Sequence, residues 1–178
     1  LPFGPYENLV DCTLDALHQS KRLKGSRVFV STNLLLRDLV EKYPRTVYHR
    51  RMEELCGDTT TMEEVLRDVL VHRAEERYYV IAQPTFPLRT WESVDDTISL
   101  FFRPTVATAL VTASPYTKKP NGDIYMGHID TFLATGSLYP PGVHFRFQEE
   151  GVDIDTLEDF RLAEYLFPIR HTKKRRSG

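Results

Sequence analysis

Cysteine is scarce: the two present, Cys12 and Cys56, cannot build a disulfide framework and do not have metal-ligand spacing. Small disulfide-stapled folds and thiolate metal sites are therefore excluded. Both cysteines sit in apolar segments, as small buried thiols do, which suits a reducing compartment, the cytoplasm. Long apolar runs are also missing. None approaches the roughly 18 residues that a membrane span needs, and no signal-peptide pattern opens the chain. Charge of one sign is not in excess either: a net charge of -2 gives no whole-chain reason to expect nucleic acid as a partner. The histidines (His18, His49, His72, His128, His144 and His171) form no mutual motif. Without a nucleophile or an orienting partner beside them, no catalytic role is expected for any.

What remains is an ordinary soluble composition over 178 residues, 41% hydrophobic and 27% charged, enough for one compact domain spanning 1–178. Its one basic cluster, Lys173, Lys174, Arg175 and Arg176, lies in a tail over 168–178. It reads as a solvated terminus, with a phosphate-binding or localisation role as the alternative.

Helix-period and strand-like segments alternate along the chain. Helices are expected over 7–20, 34–42, 61–74, 94–102 and 156–167. Thr61 and Glu64 have capping-box spacing, and the acids Glu158 and Asp159 favour the start of the last helix. Strands are expected over 27–31, 46–48, 78–82, 107–112, 123–126 and 144–147. Strands separated by helices imply crossovers and a mainly parallel sheet, whose ligands bind beyond the carboxyl ends of the strands.

Three such ends carry polar clusters. One is Val30-Ser31-Thr32-Asn33, another Gln83-Pro84-Thr85-Phe86-Pro87-Leu88-Arg89, and the third Val152-Asp153-Ile154-Asp155-Thr156. Asp153 and Asp155, at i and i+2 on extended chain, would face the same way. Such a pair makes a hard oxygen site for Mg2+; alternatively Asp155 caps the last helix and Asp153 is solvated. Pro84 and Pro87 stiffen the second cluster around Thr85. Arg89 could fork onto a carboxylate or phosphate and Gln83 could meet a sugar, or the segment is a rigid turn whose arginine braces a helix end. Asn121-Gly122-Asp123 reads first as a hairpin-type turn, with Asn121 also a candidate ligand contact. Lys118 and Lys119 read as solvated turn residues.

Together these clusters resemble the acylneuraminate cytidylyltransferase family, in register over nearly the whole chain. Val28-Phe29-Val30-Ser31-Thr32-Asn33 is similar to a family strand ending Val-Ser-Thr-Asp, and Gln83-Pro84-Thr85-Phe86-Pro87-Leu88-Arg89 to Gln-Pro-Thr-Ser-Pro-Leu-Arg. Asp58-Thr59-Thr60-Thr61 precedes a long helix as in the family. Asn121-Gly122-Asp123-Ile124-Tyr125 resembles Asn-Gly-Ala-Ile-Tyr, and the segment from Asp153 through Asp159, Ala163 and Glu164 resembles the closing signature. The resemblance implies a Rossmann-like, GT-A-like nucleotidyltransferase fold, a three-layer α/β/α arrangement. It implies transfer of CMP from CTP to an acidic, sialic-acid-like (nonulosonic) sugar with release of pyrophosphate, and Mg2+ as cofactor. By carry-over, Asp153 and Asp155 would be catalytic and hold the metal. Gln83, Thr85, Arg89, Asn121 and Ser31 would bind substrate.

The chain also departs from the family. It begins at Leu1, and Leu1-Pro2-Phe3-Gly4-Pro5 matches only the stretch after the family's first strand and Gly-Ser-Lys phosphate loop. An absent central strand would leave open backbone edges inside the sheet. The expectation is a fragment, a start lost upstream, or a reduced homologue. Asn33 stands where the family has Asp, and only Ala113 to Pro120 stands where the family carries a longer arm. A shortened arm weakens the homodimer that the resemblance implies. A catalytically inactive homologue acting as a binding or regulatory module is thus the alternative to an enzyme.

Overall fold

A computed structural model describes residues 1–34, 36–71, 75–103, 108–148 and 151–173, except for the side chains of 37 and 170–173. Its elements, in order, are α1 (Leu9–Gln19), β1 (Val28–Thr32), α2 (Arg37–Lys42), β2 (Thr46–Arg50) and a 3-10 turn at Glu53–Leu55. Then come α3 (Met62–Leu70), β3 (Tyr78–Ala82), α4 (Trp91–Phe101), β4 (Ala109–Ala113) and β5 (Pro120–His128). The chain closes with α5 (Ile129–Thr135), β6 (Val143–Phe147) and α6 (Leu157–Lys173). His72, Ala74, Pro104, Ala107 and the basic residues Lys174, Arg175 and Arg176 lie outside the described residues.

Local chemistry explains most helix starts. Asn8 accepts from the Asp11 amide to open α1, and the expected Thr61/Glu64 capping box opens α3. α4 starts at Trp91, earlier than Val94, because Thr90 and Ser93 close a capping box of their own. α2 is shorter than expected, and no side chain caps Leu36. α6 runs past Phe167 through Pro168. The carbonyl that a proline at 168 leaves without its helical donor belongs to Glu164, which is exposed and can be hydrated.

β1 and β2 pair in parallel, and a separate four-stranded sheet has the order β3-β5-β4-β6. β5 is antiparallel to both β3 and β4, while β4 and β6 are parallel. β3, β4 and β6 therefore run the same way, with β5 reversed between two of them. This corrects the hairpin reading of Asn121-Gly122-Asp123. The β4–β5 turn is Ser114 to Lys119, closed by Lys118 N–H to Ser114 C=O (3.0 Å) and Ser114 N–H to Lys119 C=O (2.9 Å). The Asn-Gly pair instead bends the start of β5, where Gly122 takes φ +75°. Opposite it the register slips between Val111 and Ala113, and the Thr112 hydroxyl takes up the Ile124 amide (2.8 Å).

Strand alternation separates two apolar layers. Leu110, Ile124 and Met126 face α1 and α4 with Leu14, Leu17, Val94 and Ile98, whereas Val111, Tyr125 and Tyr79 face α3 and α5 with Leu66, Leu70 and Phe132. The result is the three-layer α/β/α fold. A third cluster packs Phe3, Cys12, Leu88, Val152 and Phe167 beneath α6.

The two sheets are not joined. No described strand joins β1 to β3, and a cavity of about 1580 Å³ runs between them, lined by Val28, Val30, Val80 and Ala82 among others. Arg27 Nη2 and Glu76 Oε1, 2.9 Å apart, tie the beginnings of the two strands across it.

Candidate functional site

Reversal of β5 is what assembles the site. Because Ala82 pairs with Ile124, the start of β5 lies just beyond the carboxyl end of β3, beside Gln83. Gly122 is the point of closest approach. A methyl group on its α-carbon would lie 2.7 Å from Asp153 Oδ2 and 2.8 Å from Gln83 Oε1. Glycine is required there both by its positive φ and by this crowding.

The Gln83–Arg89 loop is held rigidly against its neighbours. Gln83 C=O accepts from the Phe86 amide (3.2 Å), Pro87 C=O from Cys12 Sγ (3.3 Å), and Thr85 C=O from the Ile154 amide (2.9 Å). The last bond joins the loop to the Asp153–Asp155 segment, and the Thr85 side chain also hydrogen-bonds Asp153. The Phe86 ring packs directly on Gly151, where no side chain would fit.

Asp153 is half-buried, and burial raises its carboxyl above the ordinary aspartate range. Asp155 and Asp159 push in the same direction; the Thr85 bond and Arg89 partly offset them. Asp153 Oδ1 is buried without a hydrogen-bond partner. Asp155 joins the start of α6 through its backbone amide, which donates to Asp159 Oδ2 (3.2 Å), and its carboxylate is not the cap. Thr156 is, accepting from the Asp159 amide (3.2 Å) while Asp159 Oδ2 takes the Thr156 amide (2.8 Å). The Asp155 carboxylate is exposed on the wall of the β1–β3 cavity, together with Ser31, Thr32, Gln83 and Thr85.

Asp153 Oδ1, buried without a partner, and the exposed carboxylate of Asp155 two residues on are the hard oxygens that a divalent cation would use here. Among the described residues no group of three or more His, Cys, Asp or Glu could hold a metal unaided. Magnesium does not demand one, since it keeps several waters and takes ligand phosphates.

The other candidates divide. Asn121 adjoins Gly122, with its Oδ1 accepting from the Asp123 amide (3.3 Å). Ser31, across the cavity, accepts from Arg51 through its carbonyl (2.6 Å) and hydroxyl (3.3 Å). Arg89 lies beneath the loop, 2% exposed, with its guanidinium directed at Asp123, Gln83 C=O and Thr13. Three residues escaped the sequence reading: Gly122 as a contact point, Asp123 as the partner of Arg89, and Gln148 as a donor to Asp123. The Asn-Gly pair signalled the first, while nothing local signals the other two. His49 does have an orienting carboxylate, Asp68 at 2.8 Å, but on the β2–α3 side of the molecule.

No helix of the described residues is long and apolar enough to cross a membrane. No family model and no curated protein sequence matches the chain. Solved structures do. A cytidylyltransferase from Leptospira borgpetersenii serovar Hardjo-bovis superposes with a TM-score of 0.68 at 17% identity, covering 99% of this chain and 87% of that one. A 4-diphosphocytidyl-2C-methyl-D-erythritol synthase from Anaerococcus prevotii gives 0.64 at 16%, over 92% and 89%. The mannosyltransferase PcManGT from Pyrobaculum calidifontis, solved with GDP-Man and Mn2+, gives 0.60 at 14%, over 96% and 61%. At these identities the likeness is one of fold, and the fold is the nucleotidyltransferase and GT-A-like α/β type.

Proposed function

We propose that the chain is a nucleotidyltransferase of the cytidylyltransferase kind, moving CMP from CTP to an acidic, sialic-acid-like sugar. The observation that carries this reading is the meeting of Gln83, Gly122 and Asp153 at one strand end, with a buried Asp153 oxygen left without a partner. In the reaction a sugar hydroxyl attacks the α-phosphorus of CTP, and the bond to the bridging oxygen breaks to release pyrophosphate. Asp153 and Asp155 would hold Mg2+, which neutralises charge on the phosphates when bound. Gln83, Thr85 and Asn121 would orient the sugar, so that catalysis rests mainly on positioning and charge neutralisation.

A second reading, a binding module that keeps the fold without turnover, is favoured by one observation: the open cavity between β1 and β3 beside Ser31 and Gln83. Calorimetric titration of Mg2+-CTP into the chain, beside an Asp153→Ala/Asp155→Ala variant, separates the two. Binding that weakens in the variant, followed by pyrophosphate release with a nonulosonic sugar, supports the enzyme. Binding without turnover favours the module, and no binding by folded protein rejects the nucleotide site.

A further inference from the structure

A deeply buried ion pair lies directly under the candidate site and touches none of its open surface. Arg89 and Asp123 are each 1% exposed at the side chain and paired at 2.6 Å, Nε to Oδ1. Arg89 Nη2 also donates to the Asp123 carbonyl (2.5 Å) and to the Gln83 carbonyl (3.0 Å), and Nη1 to Thr13 Oγ1 (3.4 Å). The second oxygen of Asp123 is taken by Gln148 Nε2 at 2.5 Å. The guanidinium fork therefore binds a carboxylate and two backbone carbonyls at once.

What those carbonyls belong to is informative. One is that of Gln83, whose side chain faces Gly122; the other is that of Asp123, the residue after Gly122. The pair thus fixes the two backbone points between which Gln83 Oε1, the Gly122 α-carbon and Asp153 Oδ2 converge. Stability alone is a poor reason for such a pair, because a well-packed apolar substitute often does as well or better. Phe86, Leu88 and Cys12 already supply apolar packing around the loop.

Resting on the nucleotide-site reading above, we propose that Arg89, Asp123 and Gln148 are positioning residues. They hold Gln83 and Gly122 in register with Asp153 and make no contact with ligand. A loosening of the supporting residues by even 1 Å is enough to spoil such a site.

The test replaces the pair by an apolar one of similar volume, Arg89→Met/Asp123→Leu, so that no charge is left buried alone. Gln148→Leu serves as the milder variant. The double variant is expected to melt at or above the wild-type temperature yet to bind Mg2+-CTP roughly 10–100-fold more weakly, the usual effect of losing an outer-shell partner. Amide hydrogen exchange reads the same point without ligand. The Phe86 and Ile154 amides, which bond into the loop, should exchange faster while Leu110 in the core does not change. Double-variant affinity equal to wild type, or unchanged exchange at Phe86 and Ile154, overturns the proposal. If wild type itself binds no Mg2+-CTP, the nucleotide reading falls and the exchange result alone decides the positioning role.

Discussion

Gly122→Ala tests the geometry of the site most directly. Two costs can be worked from the structure. At φ +75° an alanine must adopt the left-handed region, which costs about 1–2 kcal/mol. Its methyl would also lie 2.7 Å from Asp153 Oδ2, 2.8 Å from Gln83 Oε1 and 3.0 Å from Asp153 Cγ. Overpacking of this kind adds about 1–3 kcal/mol. Gly25→Ala is the matched control. Gly25 has φ +91°, and nothing lies within 4 Å of its would-be methyl, so it bears only the backbone cost. For a chain of this length each kcal/mol lowers Tm by about 2–4 °C. In thermal denaturation Gly122→Ala should therefore melt about 2–12 °C below Gly25→Ala. If Asp153 instead swings aside to relieve the clash, the stability difference shrinks but Mg2+-CTP binding is lost. A Gly122→Ala protein as stable as Gly25→Ala, with nucleotide binding intact, would refute the close approach on which the site rests.

Two further outcomes are expected. Burial, with Asp155 and Asp159 nearby, raises the Asp153 pKa, so the folded chain holds that proton where the unfolded chain has released it, and stability falls as pH rises through that window. Asp153→Asn should thus raise Tm near neutral pH, with the gain vanishing in acid, and should abolish any stabilisation of wild type by Mg2+; an unchanged or lower neutral Tm contradicts this. Burial likewise pushes the Cys12 thiol up to about 12, while Cys56 is only partly buried. A thiol reagent should label Cys56 alone in the native chain and both after urea. Equal native rates would show that Cys12 is not sequestered.

Residues acting through their immediate neighbours were legible in the sequence. The capping box at Thr61 and Glu64, the strand Tyr78–Ala82 and the turn that the Phe86 amide closes on Gln83 C=O all depend on local patterns of the chain. α5 could have been read as well, since Gly136 sits at its left-handed C-terminus with its amide on Phe132 C=O (2.7 Å). The Asn121-Gly122 signal was present but ambiguous, because an Asn-Gly pair serves a hairpin turn and a bend inside a strand equally well.

Sequence by itself determined the alternation of elements, the apolar faces, and the polar clusters at the strand ends, because periodicity and capping are local properties of a chain. Only the tertiary structure decided which clusters meet. Reversal of β5 carries Gly122 to Gln83, a contact set by strand pairing. That Thr156 and not the Asp155 carboxylate caps α6 was decided between two plausible acceptors by the path of the chain. The Arg89–Asp123–Gln148 pairing joins residues 34 and 25 positions apart and was invisible until the sheet brought them together. Interactions at that separation arise from packing, and no local pattern encodes them.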